Sequence, residues 1–131
     1  MVGILLVTHD GLGGSLVECV KHVLGEVPHN LKSLSVHAWD EPQQKLVDGE
    51  ELIKELDIGG GVLILTDMYG ATPSNIGRQL CRSERVHGVA GVNLPMLLRV
   101  VSRTGLTLPE LADAAVSGGR DCIVHMNHEL G

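Results

Sequence analysis

Aromatic side chains are almost missing from this chain of 131 residues, which has one Trp, one Tyr and no Phe. Hydrophobic residues nevertheless make up 44% of it, so a core must be built from Val, Leu, Ile, Ala and Met. Aliphatic interiors of this kind are typical of parallel sheets buried on both faces. The shortage of rings also disfavours a flavin or nucleotide site, in which aromatic side chains usually sandwich the ligand. We therefore expect no cofactor.

Cysteine is also scarce, and its spacing is uninformative. Cys19, Cys81 and Cys122 lie far apart and form no CxxC pair, the spacing typical of zinc and redox sites. The simplest interpretation is three buried thiols in a reducing cytoplasm. The i, i+3 spacing of His125 and His128 is compatible with metal ligands, but solvated histidines near a chain end are the favoured interpretation. We expect no metal site.

Long apolar runs and clusters of positive charge are missing as well. No run approaches the roughly 20 residues of a membrane-spanning helix. The apolar stretch from Val2 to Val7 follows no basic segment, so it does not predict a signal peptide. The formal charge is −6, and Lys and Arg are scattered, which disfavours nucleic acid as a partner. These features predict a cytoplasmic protein that does not span a membrane.

Strand-like apolar runs alternate with helical patterns, the signature of βα units in a parallel sheet. The predicted strands are Val2 to Thr8, Leu31 to His37, Gly61 to Thr66 and Val86 to Val92. We predict one α/β domain over residues 1–131: a three-layer, doubly wound, mostly parallel, flavodoxin-like sheet of order 2-1-3-4. The alternation from Asp121 to Met126 predicts a further strand at a sheet edge or in a dimer contact.

Several residues predict helix ends. Gly25 should end the first helix, and Pro42 should precede the second. Thr72 is expected to be the N-cap of the third helix, with Pro73 in its first position. A fourth helix is expected after Asn93. The fifth should begin at the capping box formed by Thr107 and Glu110 and end at Gly118-Gly119.

His9 and Asp67 are the main candidates for function. In an open sheet of order 2-1-3-4, the crevice lies between strands 1 and 3, outside their carboxyl ends. His9 follows strand 1 and Asp67 follows strand 3, so we expect the two side chains to be adjacent. A carboxylate that binds one ring nitrogen fixes the tautomer and leaves the other nitrogen as nucleophile or base.

The surroundings of His9 suggest what it would attack. A small-residue turn containing Gly11, Gly13 and Gly14 follows it, and the segment Gly70-Ala71-Thr72 leads into a helix N-terminus. Backbone amides and the positive end of a helix favour phosphoryl groups. We expect Gly70, Ala71 and Thr72 to contact such a group, although Thr72 is also an ordinary N-cap and Asp67 an ordinary turn residue.

Three segments together resemble the mannose-type IIA domain of the bacterial sugar phosphotransferase system. They are Gly3-Ile4-Leu5-Leu6-Val7-Thr8-His9, Thr66-Asp67-Met68-Tyr69-Gly70-Ala71-Thr72-Pro73-Ser74-Asn75 and Gly91-Val92-Asn93-Leu94-Pro95-Met96-Leu97. The resemblance covers nearly the whole chain. Two positions depart from it: Tyr69 stands where many relatives have Trp, and Ser74 where they have a more hydrophobic residue. Both departures suggest a differently tuned partner-facing surface.

The resemblance implies a cytoplasmic phosphocarrier. His9 would take a phosphoryl group from phospho-HPr and pass it to a IIB domain, or carry it as a regulatory signal, while Asp67 orients the ring. It also implies a homodimer in which a terminal edge strand is exchanged between subunits. Association with a membrane permease complex would be peripheral. The sugar is not specified, because a IIA domain contacts carrier proteins only.

Three alternatives to sugar uptake stay open. One is the phosphotransfer subunit that serves dihydroxyacetone kinase, whose first domain resembles the same family. Another is a non-catalytic module whose binding to a protein changes when His9 is phosphorylated. The third is a nucleotide or flavin binder that uses the same crevice.

Overall fold

The computed structural model describes residues 1–129, with side chains up to residue 127. Strands and helices alternate through most of this length. The strands are β1 (Gly3–His9), β2 (Leu31–Val36), β3 (Val62–Thr66) and β4 (Val86–Ala90). The helices are α1 (Leu12–Leu24), α2 (Pro42–Leu56), α3 (Thr72–Leu80), α4 (Leu94–Val101), α5 (Leu108–Asp121) and α6 (Met126–Glu129).

The four strands form one parallel sheet of order β2-β1-β3-β4. The α/β fold class and the 2-1-3-4 order predicted from the sequence are therefore confirmed. Val7 of β1 pairs with Leu34 on one side and with Thr66 on the other. The carboxyl ends of these three strands consequently lie at one edge of the sheet.

The sheet is covered on both faces, and β1 shows this most clearly. Ile4 and Leu6 belong to one apolar cluster, with residues of α1, α4 and α5. Leu5 and Val7 belong to a second cluster, with residues of α2 and α3. Successive side chains of a strand point to opposite faces, so His9 projects on the same side as Leu5 and Val7. That side carries α2 and α3.

Several predicted helix ends are confirmed. Gly25 ends α1 in the left-handed conformation, with φ of 89°. At the start of α5, the Thr107 hydroxyl accepts from the Glu110 amide, and the Glu110 carboxylate accepts from the Thr107 amide. The Asn93 side chain caps α4 by accepting from the Met96 amide at 3.0 Å.

The prediction that α5 ends at Gly118-Gly119 is wrong, because the helix continues to Asp121. Both glycines are buried against α4. A Cβ at Gly118 would meet the Arg99 side chain, and one at Gly119 would meet Met96. The glycines here let two helices approach closely, and this packing outweighs their poor helix propensity.

In the single chain no strand forms from Asp121 to Met126, so the predicted sheet-edge strand is wrong there, and the alternative of a strand in a dimer contact stays a prediction. Asp121 ends α5, α6 begins at Met126, and no strand follows β4 within residues 1–129. Ile123 and Met126 are 75% and 76% exposed. An alternating pattern forms a strand only where a second edge supplies hydrogen bonds, and this segment lies on no edge in the single chain.

The three cysteines differ in exposure. Cys81 is partly buried, whereas Cys19 and Cys122 are exposed, so the expectation of three buried thiols is wrong for two of them. In the described part of the chain, every helix is too short or too polar to cross a membrane.

Candidate functional site at the carboxyl ends of β1 and β3

His9 and Asp67 are in direct contact. The His9 ring nitrogen Nδ1 lies 2.7 Å from Asp67 Oδ2, and the His9 main-chain N–H donates to the same oxygen at 3.0 Å. The His9 side chain is 45% exposed and the Asp67 side chain 10%. The pair therefore joins a buried carboxylate to an imidazole that solvent or a partner can reach.

Hydrogen bonds keep Asp67 ionised in spite of its burial. Burial is the largest single influence and raises its pKa, but the hydrogen bonds from His9, the electrostatic attraction of His9 and a local main-chain bond together outweigh it, and the net pKa is lowered. Asp67 Oδ1 also accepts from the Met68 amide at 3.0 Å. An ionised carboxylate only accepts hydrogen bonds, so His9 carries its proton on Nδ1. The other ring nitrogen, Nε2, then holds a lone pair.

A cleft of about 360 Å³ opens beside His9. Thr72 and Pro73 of α3 form one wall, and Pro42 and Lys45 of α2 form another. The remaining lining residues are Asp10, Val36, His37, Ala38, Asp40 and Ile76. Of the three residues expected to contact a phosphoryl group, Thr72 lines this cleft, whereas Gly70 and Ala71 lie outside its lining. The cleft therefore brings together His9 and the first residue of α3.

Ala71, not Thr72, is the N-cap of α3, so the sequence prediction is displaced by one residue. The reason is a hydrogen bond: the Asn75 amide donates to the Ala71 carbonyl at 3.0 Å and closes the first helical turn. The turn before it has Gly70 at φ of 85° and a bond from the Ala71 amide to the Met68 carbonyl. Among the described residues, no side chain caps α3. The Thr72 hydroxyl is thus not used as a cap.

His37 has two carboxylate partners that no sequence motif indicates. His37 Nδ1 lies 3.0 Å from Asp10 Oδ1, and the His37 amide donates to Asp40 Oδ2 at 2.7 Å. The strand order alone places His37 near His9, because His37 follows β2 and therefore lies at the same end of the sheet. The contacts of His37 with Asp10 and Asp40 depend on loop conformation, and the strand order does not predict them.

Of the two positions that depart from the family pattern, one fits a partner-facing surface. The Tyr69 side chain is 74% exposed, beside the exposed Met68. Ser74 is only 3% exposed, so the suggestion that it faces a partner is wrong. Its place in the first turn of α3, packed towards the sheet, explains the burial.

Among the described residues, no group of three or more His, Cys, Asp or Glu side chains is arranged to hold a metal ion. The His128 side chain, one of the two spaced as possible ligands, lies outside the described side chains.

The sequence is similar to one family model and to several known proteins. A family model described as the PTS system fructose IIA component matches residues 3–116. The sorbose-specific EIIA component of Lacticaseibacillus casei is 31% identical over 116 residues, which is 82% of this chain and 78% of that protein. The mannose-specific EIIAB component of Escherichia coli is 27% identical over 123 residues, 92% of this chain, but the match spans only 38% of that protein.

The fold is shared with solved structures. The phosphotransferase system component EIIA from Streptococcus agalactiae superposes with a TM-score of 0.87 at 20% sequence identity, over 98% of this chain and 99% of that one. The family model covers far more than half of the residues, and its match includes β1, β3 and the start of α3. The chain therefore belongs to the mannose, fructose and sorbose family of phosphotransferase system IIA components.

Proposed function

We propose that this protein is a phosphocarrier in which Nε2 of His9 accepts a phosphoryl group from phospho-HPr. The group then passes to a IIB domain or protein, or stays on His9 as a regulatory signal. The observation that carries the proposal is the bond of 2.7 Å between His9 Nδ1 and Asp67. It supports a proton on Nδ1 of His9, which in the neutral ring makes Nε2 available as the nucleophile.

The transfer follows from this arrangement. The Nε2 lone pair attacks phosphorus, a new N–P bond forms, and the N–P bond to the donor's histidine breaks, its electron pair returning to the donor ring. His9 keeps its proton on Nδ1 and becomes a cation. The Asp67 carboxylate stabilises that cation and holds the ring in place, as the acid does in other histidine–carboxylate pairs. Passing the group to an acceptor reverses these steps.

Thr72 is the residue of α3 best placed to meet the phosphoryl group. It lines the cleft with His9, and it is the first residue of a helix, where main-chain amides and the helix dipole favour anions. Its hydroxyl adds a further donor. Gly70 and Ala71 have less support as phosphoryl-binding residues. The Ala71 amide already donates to the Met68 carbonyl, and Gly70 adopts the positive φ of the turn before α3.

The partners named by the proposal are proteins. Phospho-HPr is the donor and a IIB domain the acceptor, and the working form is a cytoplasmic homodimer with at most a peripheral contact to a membrane permease. The exposed Tyr69 and Met68 lie next to Asp67 in the chain and offer an apolar rim for a docking protein.

The test is labelling with phosphoenolpyruvate, enzyme I and HPr, followed by intact mass. We expect one phosphoryl group that is acid-labile and alkali-stable in the wild type and is missing in His9→Ala. His29→Ala is the matched control, because His29 is an exposed histidine before β2, at the opposite end of the sheet. Labelling of His9→Ala, or none in the wild type with a carrier from the same cell, would refute the proposal.

A further inference from the structure

A second histidine–carboxylate pair lies in the cleft beside His9. His37 Nδ1 lies 3.0 Å from Asp10 Oδ1, and the His37 side chain is 32% exposed. Because a carboxylate only accepts, Nδ1 of His37 carries a proton. In the neutral ring, Nε2 of His37 is then an acceptor, and it becomes a donor only when the ring binds a second proton.

Two side chains contact the ring of His37, and a hydrogen bond to a third holds its main chain. Its main-chain N–H donates to Asp40 Oδ2, and its ring stacks on the indole of Trp39, with centroids 4.6 Å apart and planes 2° from parallel. Asp10, which binds Nδ1, is held in turn by a bond from its own amide to the Val36 carbonyl. Asp10 has φ of 43°, a conformation that costs energy in a residue other than glycine. The contacts with Asp10 and Trp39 orient this ring.

The charges around the cleft show what a phosphoryl group would meet. Asp10, Asp40 and Lys45 line it, so there is one carboxylate more than there are ammonium groups. Lys45 Nζ already lies 3.5 Å from Asp40 Oδ2. Asp67, behind His9, adds a further carboxylate, which the His9 ring balances when it becomes a cation. A phosphoryl group brings roughly two negative charges near neutral pH. Lys45 already carries its charge, so His37 is the one of these side chains whose ring can gain positive charge by binding a proton.

Resting on the function proposed above, we propose that His37 takes up a proton from solvent when His9 is phosphorylated, and that its Nε2–H then donates to an oxygen of the phosphoryl group. His37 is thus a phosphoryl-binding residue held in place by Asp10. Phosphorylation of His9 consumes one proton in this scheme. The phosphorylated fraction should therefore fall as pH rises, by at most about tenfold per pH unit beyond any change caused by the donor.

The inference is tested by phosphoryl exchange with HPr at equilibrium, measured by intact mass from pH 6 to 9. The proteins are the wild type, His37→Ala and His37→Gln, which keeps an N–H donor but cannot gain charge. We expect about tenfold less phosphorylation of His37→Ala near neutral pH, for the loss of one charge-assisted bond. His37→Gln should lose the extra pH dependence. His29→Ala should match the wild type, and the His37→Gln curve gives the pH dependence that belongs to HPr itself.

A second measurement needs no variant in the cleft. Ring ¹⁵N NMR of the wild type should show Nε2 of His37 without a proton before phosphorylation at pH 8, and with one afterwards. Trp39, the one tryptophan of the sequence, should report the same change in its fluorescence, because its indole stacks on the His37 ring. Thermal unfolding of each variant separates loss of fold from loss of the contact.

The outcomes distinguish the two proposals. If His9 is labelled equally in the wild type and His37→Ala at every pH, and the His37 ring does not change its protonation, the inference is overturned while the phosphocarrier function stands. If His9 of the wild type is never labelled, the proposed function fails, and the inference fails with it.

Discussion

One oxygen of Asp67, Oδ2, accepts two hydrogen bonds from His9, one from the ring Nδ1 at 2.7 Å and one from the main-chain N–H at 3.0 Å. The carboxylate thereby ties the end of β1 to the residue that follows β3. Any movement of one strand end relative to the other would change the direction of the ring. The ring tautomer and its orientation thus depend on the same side chain.

Asp67→Asn should slow phosphoryl transfer to His9 by about 10²-fold or more, corresponding to roughly 3 kcal/mol. The amide can donate to Nδ1, which favours the tautomer with the proton on Nε2 and removes the attacking lone pair. The measurement is the initial rate of labelling by phospho-HPr.

The control is Asp113→Asn, a change of the same kind at an exposed position of α5. If Asp67→Asn is labelled at the wild-type rate, Asp67 does not orient His9 and is only a turn residue.

Thr72→Ala should leave the free energy of unfolding within about 0.5 kcal/mol of the wild type, because Thr72 is not the N-cap of α3. The labelling rate should fall by about tenfold if the hydroxyl binds the phosphoryl group, and Thr72→Ser should restore it. Urea unfolding and the labelling rate are measured on the same preparations. A loss of stability near 1 kcal/mol, as for removal of a cap, would instead restore the capping role.

Gly13 and Gly14 should respond oppositely to alanine. A Cβ at the buried Gly13 would collide with the hydroxyls of Thr8 and Ser33, whereas one at Gly14 meets open space. We expect Gly13→Ala to lose about 1–2 kcal/mol by pushing α1 off the sheet, and Gly14→Ala to gain up to about 1 kcal/mol from helix propensity. Urea unfolding of the two variants decides this; equal effects would contradict the packing.

Asp57→Asn should weaken the fold at neutral pH without changing the labelling rate of His9. Arg85 binds Asp57 through two nitrogens, at 2.8 and 2.6 Å, and with the amides of Gly59 and Gly61 it holds the pKa of that carboxyl well below its usual range. Because the pKa is lower in the folded state, the ionised carboxylate stabilises the fold at pH above the unfolded-state pKa of about 4. That stabilisation is lost as the pH falls toward the folded-state pKa.

The measurement for this pair is the urea midpoint of Asp57→Asn and wild type between pH 7 and pH 2. The two midpoints should differ at pH 7 and approach one another as pH falls below about 4. A constant difference at all pH values would mean that the effect is not electrostatic. The pair lies at the end of the sheet opposite His9, before β3, which is why the labelling rate should not change.

The strand order and the contact between His9 and Asp67 followed from the sequence because both depend on regular features. Alternating apolar runs and helical patterns specify βα units, and right-handed crossovers leave few ways to arrange four of them. The end of β1 and the end of β3 then have to be neighbours. The residues at those ends could be read directly, without knowledge of any loop.

Most of the features that the sequence pattern did not show depend on contacts between distant segments, and one depends on a local hydrogen bond. Gly118 and Gly119 stay helical because α4 packs on them, and Ser74 is buried in the first turn of α3. The bond from Asn75 to Ala71 moved the helix start by one residue, which a cap preference alone does not resolve.

The sequence by itself determined the α/β class, the sheet order and the meeting of His9 with Asp67, since local periodicity and chain direction are sufficient for these. Only the tertiary structure decided that Asp10 turns back to His37, that the two rings share one cleft, and that residues 122–125 form no strand here. Those outcomes depend on loop conformations and on which hydrogen-bonding edges are available, and neither is encoded in the pattern of any single segment.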